Sequence, residues 1–354
     1  MLEEVLSSYG LSPESTVQPH GSGLIHNTWK VTDHSNEYIL QRINDHVFKH
    51  PDFIASNIQS IASWLAQHHP DYFFVSPVRA NTGKTVLLIP DHGYFRLFPF
   101  VKESHTCEIA QSPQQAYEAA KQFGLFTRVL RDFPIEKLQI TLPDFHNLAH
   151  RHAQFEHSVK HGNVNRLKES QSEIEYLRSQ NYIVSTYQQL LSSKEFKMRV
   201  THHDTKISNV LFDKRGKGLC VIDLDTVMPG YFISDVGDMM RTYLSPASEE
   251  EKDFDKIEVR EDYFKAIAEG YLSEMGSELS AAELNHFVYS GLFLVYMQAL
   301  RFLTDYFNND IYYGSSYEGH NFIRAKNQVI LLQRLLEKKD QLNEIVTSVN
   351  PRRN

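Results

Sequence analysis

The segment His202-His203-Asp204-Thr205-Lys206-Ile207-Ser208-Asn209, followed by Ile222-Asp223-Leu224-Asp225, sets the architecture of this 354-residue chain. Two apolar runs separate these segments, and they flank a Lys- and Gly-rich turn at residues 214–218, which predicts a β-hairpin. The hairpin carries the chain from the first polar segment to the second. The sequence therefore predicts a cluster of carboxylate, amide and ammonium groups beside this hairpin.

Such a set of oxygen ligands and one cation suits phosphoryl transfer. That chemistry needs a carboxylate to accept a hydroxyl proton, oxygen ligands for Mg²⁺ on the phosphates, and positive charge nearby. We predict that Asp204 is the catalytic base, that Lys206 is the catalytic cation, and that Asn209 and Asp223 bind the metal. The five-residue interval from Asp204 to Asn209, and the acidic residue after the hairpin, match the catalytic-loop and D-F-G patterns of kinases. ATP and Mg²⁺ are the predicted cofactors.

The chain changes character near residue 100. Before it, short β-rich runs alternate with turn residues, and after it most segments have a helical period. We predict an α+β, two-lobed protein-kinase-like fold. The small antiparallel-sheet lobe at residues 1–100 is expected to bind nucleotide. The larger α-helical lobe at residues 101–354 is expected to carry catalysis and substrate binding. The predicted strands are 16–20, 28–32, 37–44, 72–77, 85–89 and 94–99, and the predicted helices are 52–68, 113–133, 166–193, 259–274, 281–307 and 322–346.

Several residues of the N-terminal lobe are candidates for nucleotide contacts. Gly21-Ser22-Gly23 lies between the first two strands and permits a tight turn whose N–H groups face phosphate, although a simple hairpin turn has the same composition. Arg42, on the third strand, stands at the position of the phosphate-binding Lys of kinases, but Asn57 stands where its acidic partner is expected. Phe98 and Phe100 lie where adenine would bind between the lobes, and core packing explains them equally well.

Composition restricts the class of partner. With 36 basic and 44 acidic residues the net charge is −8, so neither nucleic acid nor a membrane surface is an expected partner. Cys107 and Cys220 alone support neither a disulfide framework nor a cysteine-based zinc site. The acidic start Met1–Glu4 is unlike a signal peptide, which predicts a cytoplasmic protein, and the apolar stretch 287–300 is too short to cross a bilayer. The expected partner is a small molecule, and the oligomeric state stays open.

The chain resembles the aminoglycoside-phosphotransferase-like kinases and, among them, the bacterial N-acetylhexosamine 1-kinases. The hallmark His-Gly-Asp with Asn five residues later is present as His202-His203-Asp204 and Asn209, with His203 in place of Gly. The resemblance runs from about residue 18 to residue 335. The similar segments are 21–28, 38–44, 123–126, 145–147, 205–209, 222–230, 235–238, 301–305 and 320–324.

This resemblance implies transfer of the ATP γ-phosphoryl group to the anomeric 1-hydroxyl of N-acetylglucosamine or N-acetylgalactosamine. It also implies that the sugar lies between the lobes near His26, Asp204 and Arg301. The tyrosine-rich segment after residue 305, which includes Tyr317, suits an uncharged polyol, although any single tyrosine in such a segment more often simply packs the lobe.

Two other functions stay open. One is a kinase of the same fold that acts on another hydroxyl, of an aminoglycoside, choline or homoserine. The other is a nucleotide-binding regulatory module without catalysis. A module of that kind is expected to lack at least one of Asp204, Asn209 and Asp223, and all three are present.

Overall fold

A five-stranded antiparallel sheet forms the N-terminal region of the chain. The computed structural model describes residues 2–21 and 25–350. The strands run in the order β1-β2-β3-β5-β4, so β5 lies between β3 and β4 and the sheet is not a simple meander. The strands are β1 (Thr16–Pro19), β2 (Asn27–Asp33), β3 (Asn36–Ile43), β4 (Val86–Ile89) and β5 (Gly93–Pro99).

The two faces of this sheet have different environments. Side chains alternate between the faces of a strand, and one face carries Val31, Leu40 and Leu97, which form a small core with helix α1 (Leu2–Ser8). The opposite face is turned toward the C-terminal region. The strand predicted at residues 72–77 is absent, and this segment is irregular. Its Tyr72 packs against the main core without a strand partner.

Helix α2 (Pro51–His68) joins the sheet to the rest of the molecule. It begins at Pro51, and its buried face is formed by apolar residues at helical spacing, as predicted. Asn57 on this helix is fully buried: its Nδ2 donates hydrogen bonds to the carbonyls of Gln139 (2.8 Å) and Val227 (3.0 Å). The helix is thus fastened to the C-terminal region by an amide rather than by an ion pair.

The C-terminal region is mainly helical, and the long predicted helices are divided. Residues 166–193 contain three short helices, and breaks occur at His286 and Lys338. Helices α4 and α8 were not predicted. The helices are α3 (Pro113–Val129), α4 (Leu148–His161), α5 (Val164–Glu169), α6 (Gln171–Ser179), α7 (Tyr182–Leu191), α8 (Phe232–Tyr243), α9 (Glu261–Met275), α10 (Ala281–Asn285), α11 (Phe287–Phe307), α12 (His320–Glu337) and α13 (Lys339–Val349).

Helix α11 is the central element of this region. It is long and apolar enough to cross a membrane, but 89% of its apolar window is buried inside the protein, as expected for a core helix. It packs closely on α8 at Gly237, where a Cβ atom would come within 2.3 Å of the Ser290 carbonyl oxygen. This close crossing sets the position of α8, which supports the candidate site.

Short strands frame the predicted catalytic segment. The predicted hairpin is confirmed as β8 (Val210–Asp213) and β9 (Gly218–Val221), with β6 (Ser104–His105) beside it. The strands β7 (Arg199–Thr201) and β10 (Met228–Gly230) pair with each other. Residues 202–209 therefore lie between two strand pairs, at the junction of the sheet and the helices. The predicted two-lobed α+β architecture is confirmed.

Candidate active site

Two carboxylates of α8 hold the backbone of the catalytic segment. Asp235 accepts hydrogen bonds from the backbone N–H groups of His202 (3.0 Å) and His203 (2.8 Å), and Asp238 accepts one from Thr205 N–H (2.8 Å). Both aspartates are buried, and their spacing of three residues places them on one helix face. Charge-assisted hydrogen bonds of this kind are about twice as strong as neutral ones. The segment is thereby fixed before any substrate binds.

The two histidines of this segment are structural. The His202 ring donates from Nε2 to the Ile222 carbonyl (2.9 Å) and so braces the loop. His203 adopts a left-handed backbone conformation, with φ of 66°, where Gly is the preferred residue. Its ring is buried 5.3 Å from the ring of His146, and burial lowers its pKa to about 4.

One oxygen of Asp204 is held, while the other is left unbound. Asn209 Nδ2 donates to the Asp204 carbonyl (2.8 Å) and to Oδ2 (3.1 Å), and Lys206 Nζ lies 3.4 Å from the same Oδ2. The charge of Asp204 raises the pKa of Lys206, which stays protonated. Among the described residues, none donates a hydrogen bond to Asp204 Oδ1. This atom is therefore free to accept a proton from a hydroxyl group.

Asp223 and Asn209 fit a magnesium ion. Asp223 follows β9 with φ of 59°, and it accepts no hydrogen bond from any residue within 2–21 or 25–350. Enclosure in the cleft, together with the charges of Asp225 and Asp204, raises the pKa of Asp223. A cation would relieve this repulsion. Asn209 Oδ1 likewise has no donor in the described part of the chain, so two hard oxygen ligands are free.

A buried ion pair missed by the sequence analysis joins the two lobes. Arg96 of β5 binds both carboxylate oxygens of Asp225, through Nη1 and through Nη2 (3.0 Å). His26 Nε2 lies 2.7 Å from Asp225 Oδ2. Burial opposes ionisation of Asp225, but Arg96 and His26 lower its pKa to about 2. A charged residue between Phe95 and Leu97 was the available signal, because a buried charge in an apolar strand requires a partner.

The structure does not bring Arg42 into the cleft. Arg42 pairs across the sheet with Phe95, whose side chain lies in the small core on the far face. Its neighbour Gln41 pairs with Arg96 and accepts a hydrogen bond from Arg96 Nε (2.9 Å). The exposed guanidinium of Arg42 lies instead beside Gly93. The position predicted for the nucleotide contact is therefore off by one residue, because Gln41 rather than Arg42 faces the cleft.

The remaining nucleotide candidates lie on or near the cleft face of the sheet. Phe98 is two residues from Arg96 on the same strand, and the Arg96 guanidinium lies 5.2 Å from its ring centre. Lys30 Nζ lies 4.1 Å from the ring centre of Phe100. Gly21 has φ of 77°, in the region that favours glycine. Ser22 and Gly23 lie outside the described residues.

The side chains of His26 and Tyr317, which were predicted to contact the sugar, have other partners in this structure. Both ring nitrogens of His26 are engaged, since Nε2 contacts Asp225 and Nδ1 accepts a hydrogen bond from Asn44 N–H (3.1 Å). The ring of Tyr317 lies beneath Lys252 Nζ (4.0 Å). Among the described residues, no contact joins a polar group of either side chain to Arg301.

Arg301 lies in an aromatic setting supplied by other residues. Its guanidinium carbon lies 5.4 Å from the ring centres of both Phe145 and Tyr313, and its Nη1 donates to Gln298 Oε1 (3.1 Å). Asp305, one helical turn away, does not pair with it and instead accepts hydrogen bonds from the backbone of the following loop. Tyr313, rather than Tyr317, is the tyrosine beside Arg301.

The acidic groups of the helical region near this arginine already have partners. Glu249 binds both Arg241 (2.9 Å) and Arg324, and although burial opposes its ionisation these two arginines lower its pKa. Asp310 binds Arg166 (2.7 Å). The side of the cleft beyond Asp204 therefore presents arginine rather than unpaired carboxylate.

Solved structures of known proteins have the same overall fold. The microcompartment-associated aminopropanol kinase superposes with a TM-score of 0.64 at 17% identity, covering 97% of this chain and 98% of that one. An amicoumacin kinase in complex with AMP-PNP and Ca²⁺ gives a TM-score of 0.61 at 16% identity, covering 99% and 94% of the two chains. The choline kinase from Streptococcus pneumoniae gives a TM-score of 0.56 at 12% identity, covering 95% and 97%.

These likenesses concern the fold, since every identity is below one in five. The sequence itself supplies the family. Residues 16–274, from β1 into α9, match the model of the phosphotransferase enzyme family, whose members transfer a phosphoryl group to small molecules. Given this match and the grouping of Asp204, Asn209 and Asp223, the chain belongs to the phosphotransferase enzyme family.

Proposed function

We propose that this phosphotransferase uses Mg·ATP to phosphorylate a sugar, at the anomeric 1-hydroxyl of N-acetylglucosamine or N-acetylgalactosamine. The proposal combines the resemblance to N-acetylhexosamine 1-kinases, which extends through both lobes, with the charge of the acceptor side of the cleft. Residues 1–100 would hold the nucleotide and residues 101–354 the acceptor.

Asp204 would act as general base through Oδ1. Asn209 and Lys206 hold Oδ2, so only one oxygen is available and its direction is set. The Asp204 loop cannot shift readily, because α8 binds its backbone. Positioning of this kind supplies much of the rate in phosphoryl transfer, where little covalent chemistry falls to the protein. Lys206 would offset negative charge as the phosphoryl group moves.

Asp223 and Asn209 would hold Mg²⁺, which neutralises charge on the ATP phosphates when bound. Support comes from their unbound oxygen atoms and from the repulsion among Asp204, Asp223 and Asp225, which a cation offsets. Asp225 itself would not be a ligand, since Arg96 and His26 occupy its oxygens. Phe98 would pack against adenine at the cleft face of the sheet.

The choice of substrate rests on whether the carboxylates near the acceptor are free or already bound by other residues. A kinase of choline, an aminoglycoside or another amine needs free acidic or aromatic surface to receive the cation. Here Glu249 and Asp310 are bound by arginines, and Asp305 accepts hydrogen bonds from backbone N–H groups. Arg301 has no carboxylate partner among the described residues and can donate two parallel hydrogen bonds to neighbouring sugar oxygens. A polyol without a cationic group therefore fits better than an amino alcohol.

The test is phosphorylation of a panel of acceptors by the purified protein with Mg·ATP. The panel contains N-acetylglucosamine, N-acetylgalactosamine, the parent hexoses, choline, homoserine and an aminoglycoside, with ADP release as the signal. Phosphorus NMR of the product distinguishes an anomeric phosphate by its coupling to the sugar's anomeric proton. The Asp204→Asn variant is the control for contaminating kinases. Activity confined to amines would refute the proposal, as would a phosphate on any other hydroxyl.

A further inference from the structure

Two arginines on the acceptor side of the cleft lack acidic partners. Arg301 Nη1 donates to Gln298 Oε1 (3.1 Å), and Arg151 Nη1 donates to Gln154 Oε1 (3.0 Å). Within residues 2–21 and 25–350, neither arginine forms an ion pair with a carboxylate. The nearby Arg241, in contrast, is bound by Asp238 and Glu249.

The position of Arg151 is unfavourable for a cation. It lies in the first turn of α4, whose backbone N–H groups give this end of the helix partial positive charge, and the first turn contains no acidic residue. Burial and the charge of Arg301 lower the pKa of Arg151, and the opposing effects of Tyr312, Tyr313 and Asp144 offset only part of this. Its Nε is also buried without a hydrogen-bond partner. A positive group kept at such a place needs a compensating ligand.

His146 connects this pair of arginines to the catalytic segment. Its ring stacks on Phe145, with centres 4.4 Å apart, and Phe145 in turn contacts the Arg301 guanidinium. On its other side His146 lies 5.3 Å from His203, the residue before Asp204. Its Nδ1 is buried and has no hydrogen-bond partner. Burial lowers the pKa of His146, and the charges of Arg301 and Arg151 both act on this ring and lower it further. Three groups with unsatisfied hydrogen-bonding or charge requirements thus lie near the segment that carries the catalytic base.

We propose that Arg151, Arg301 and His146 form a subsite for an oxyanion carried by the acceptor, such as a sulfate, phosphate or carboxylate substituent. The proposal rests on the function proposed above and narrows its substrate class to acidic derivatives of the sugar. The substituent would lie at the ring position away from the hydroxyl that meets Asp204. Each guanidinium can donate two parallel hydrogen bonds to an oxyanion, and His146 can add one. The cost of keeping Arg151 in the helix N-terminus is then offset when substrate binds.

The first experiment measures binding without turnover. Inorganic sulfate is titrated calorimetrically into the full-length protein, and the same titration is made with Arg151→Gln, Arg151→Lys and Arg334→Gln. Arg334 is an exposed arginine of α12 that pairs with Glu337, so it serves as the matched control. We expect Arg151→Gln to weaken sulfate binding at least tenfold, Arg151→Lys to retain part of it, and Arg334→Gln to leave it unchanged. Equal sulfate affinity in the wild type and Arg151→Gln overturns the proposal.

Thermal unfolding separates a binding role from a structural one. An arginine that merely supports the fold lowers the melting temperature when it is removed. Because Arg151 is opposed by the helix dipole and by Arg301, its replacement by Gln is expected to leave the melting temperature unchanged or to raise it. A lowered melting temperature together with unchanged sulfate binding would make Arg151 structural.

The second experiment identifies the source of the oxyanion. An N-acetylhexosamine and its 6-sulfate are compared as acceptors. We expect kcat/KM to be about tenfold higher for the sulfated sugar, a difference of about 1.4 kcal/mol. This preference should disappear in Arg151→Gln. If sulfate binds through Arg151 but the sulfated sugar is no better an acceptor, the site takes a free oxyanion and the assignment to the acceptor is overturned. If no sugar is phosphorylated while sulfate still binds through Arg151, the proposed function fails and the anion site stands.

Discussion

Arg96 and Asp225 form a buried two-pronged ion pair between residues 129 positions apart in the chain. Arg96 belongs to the sheet and Asp225 to the segment after the hairpin, so the pair sets how the lobes meet. Breaking a buried ion pair leaves an uncompensated charge in the interior, at a cost of about 3–5 kcal/mol. A partly exposed pair contributes about 1 kcal/mol or less.

We therefore expect Arg96→Met to lower the free energy of unfolding by about 3–5 kcal/mol. The control is Lys30→Met, which breaks the Lys30–Glu37 pair on the same sheet, with side chains 29% and 24% exposed. Its expected cost is about 1 kcal/mol or less. Urea unfolding of the two variants measures the difference, and equal losses would show that the Arg96–Asp225 pair has no special role in joining the lobes.

The exchange of roles between Gln41 and Arg42 is testable by nucleotide kinetics. Because Gln41 faces the cleft and orients Arg96, we expect Gln41→Ala to raise the KM for ATP by about tenfold. Arg42→Ala changes an exposed side chain on the other face, so the KM should stay within about twofold. The reverse order would return Arg42 to the nucleotide site.

Replacement of Asp204 by Asn removes the base and keeps the shape. We expect turnover to fall by about 10²–10⁴-fold, while the affinity for nucleotide stays nearly constant. Asp132→Asn, an exposed aspartate paired only with Arg131, is the control. Unchanged turnover in Asp204→Asn would exclude this residue as the base.

Asp223→Asn is expected both to weaken Mg²⁺ binding and to relieve the repulsion among the neighbouring carboxylates. The Mg²⁺ concentration for half-maximal activity is expected to rise about tenfold, because a charged ligand becomes neutral. The melting temperature of the metal-free protein should be unchanged or higher, since Asp204 and Asp225 no longer face a third charge. A normal Mg²⁺ requirement in this variant would refute the metal assignment.

His203 should make the protein sensitive to acid. Its pKa is lowered to about 4 in the folded protein, against about 6.5 when unfolded, so between these values only the unfolded chain binds the proton. Stability is therefore lost as the pH falls through this window, by up to about 1.4 kcal/mol per pH unit. His203→Gly removes this loss and the strain of a positive φ.

Urea unfolding between pH 7 and pH 4 measures this effect as the difference in slope between His203→Gly and the wild type. The difference is needed because burial raises the pKa of Asp235 to about 6, and uptake of a proton by folded Asp235 opposes the His203 effect in both proteins. The exposed His150, replaced by Ala, is the control. Parallel curves for His203→Gly and the wild type would contradict the prediction.

Much of the fold and part of the site could be predicted from local sequence. The interval from Asp204 to Asn209, the β8–β9 hairpin and the strands of the sheet depend on neighbouring residues. Apart from the strand predicted at residues 72–77, the structure contains them. The sequence predicts longer unbroken helices than the structure contains. The structure divides them at residues such as Lys338, which the short-range periodicity of the sequence does not mark.

The contacts that complete the site join distant parts of the chain, and the sequence alone did not predict them. Asp225 belongs to a recognisable sequence motif, but its partner Arg96 lies in the other lobe. Arg42 and Gln41 differ by one position, and since side chains alternate along a strand, only the pairing of β3 with β5 shows which of them faces the cleft. Motif spacing thus specified which chemical groups are present, whereas strand register and packing between the lobes determined which of them meet, because those depend on neighbours in space rather than in sequence.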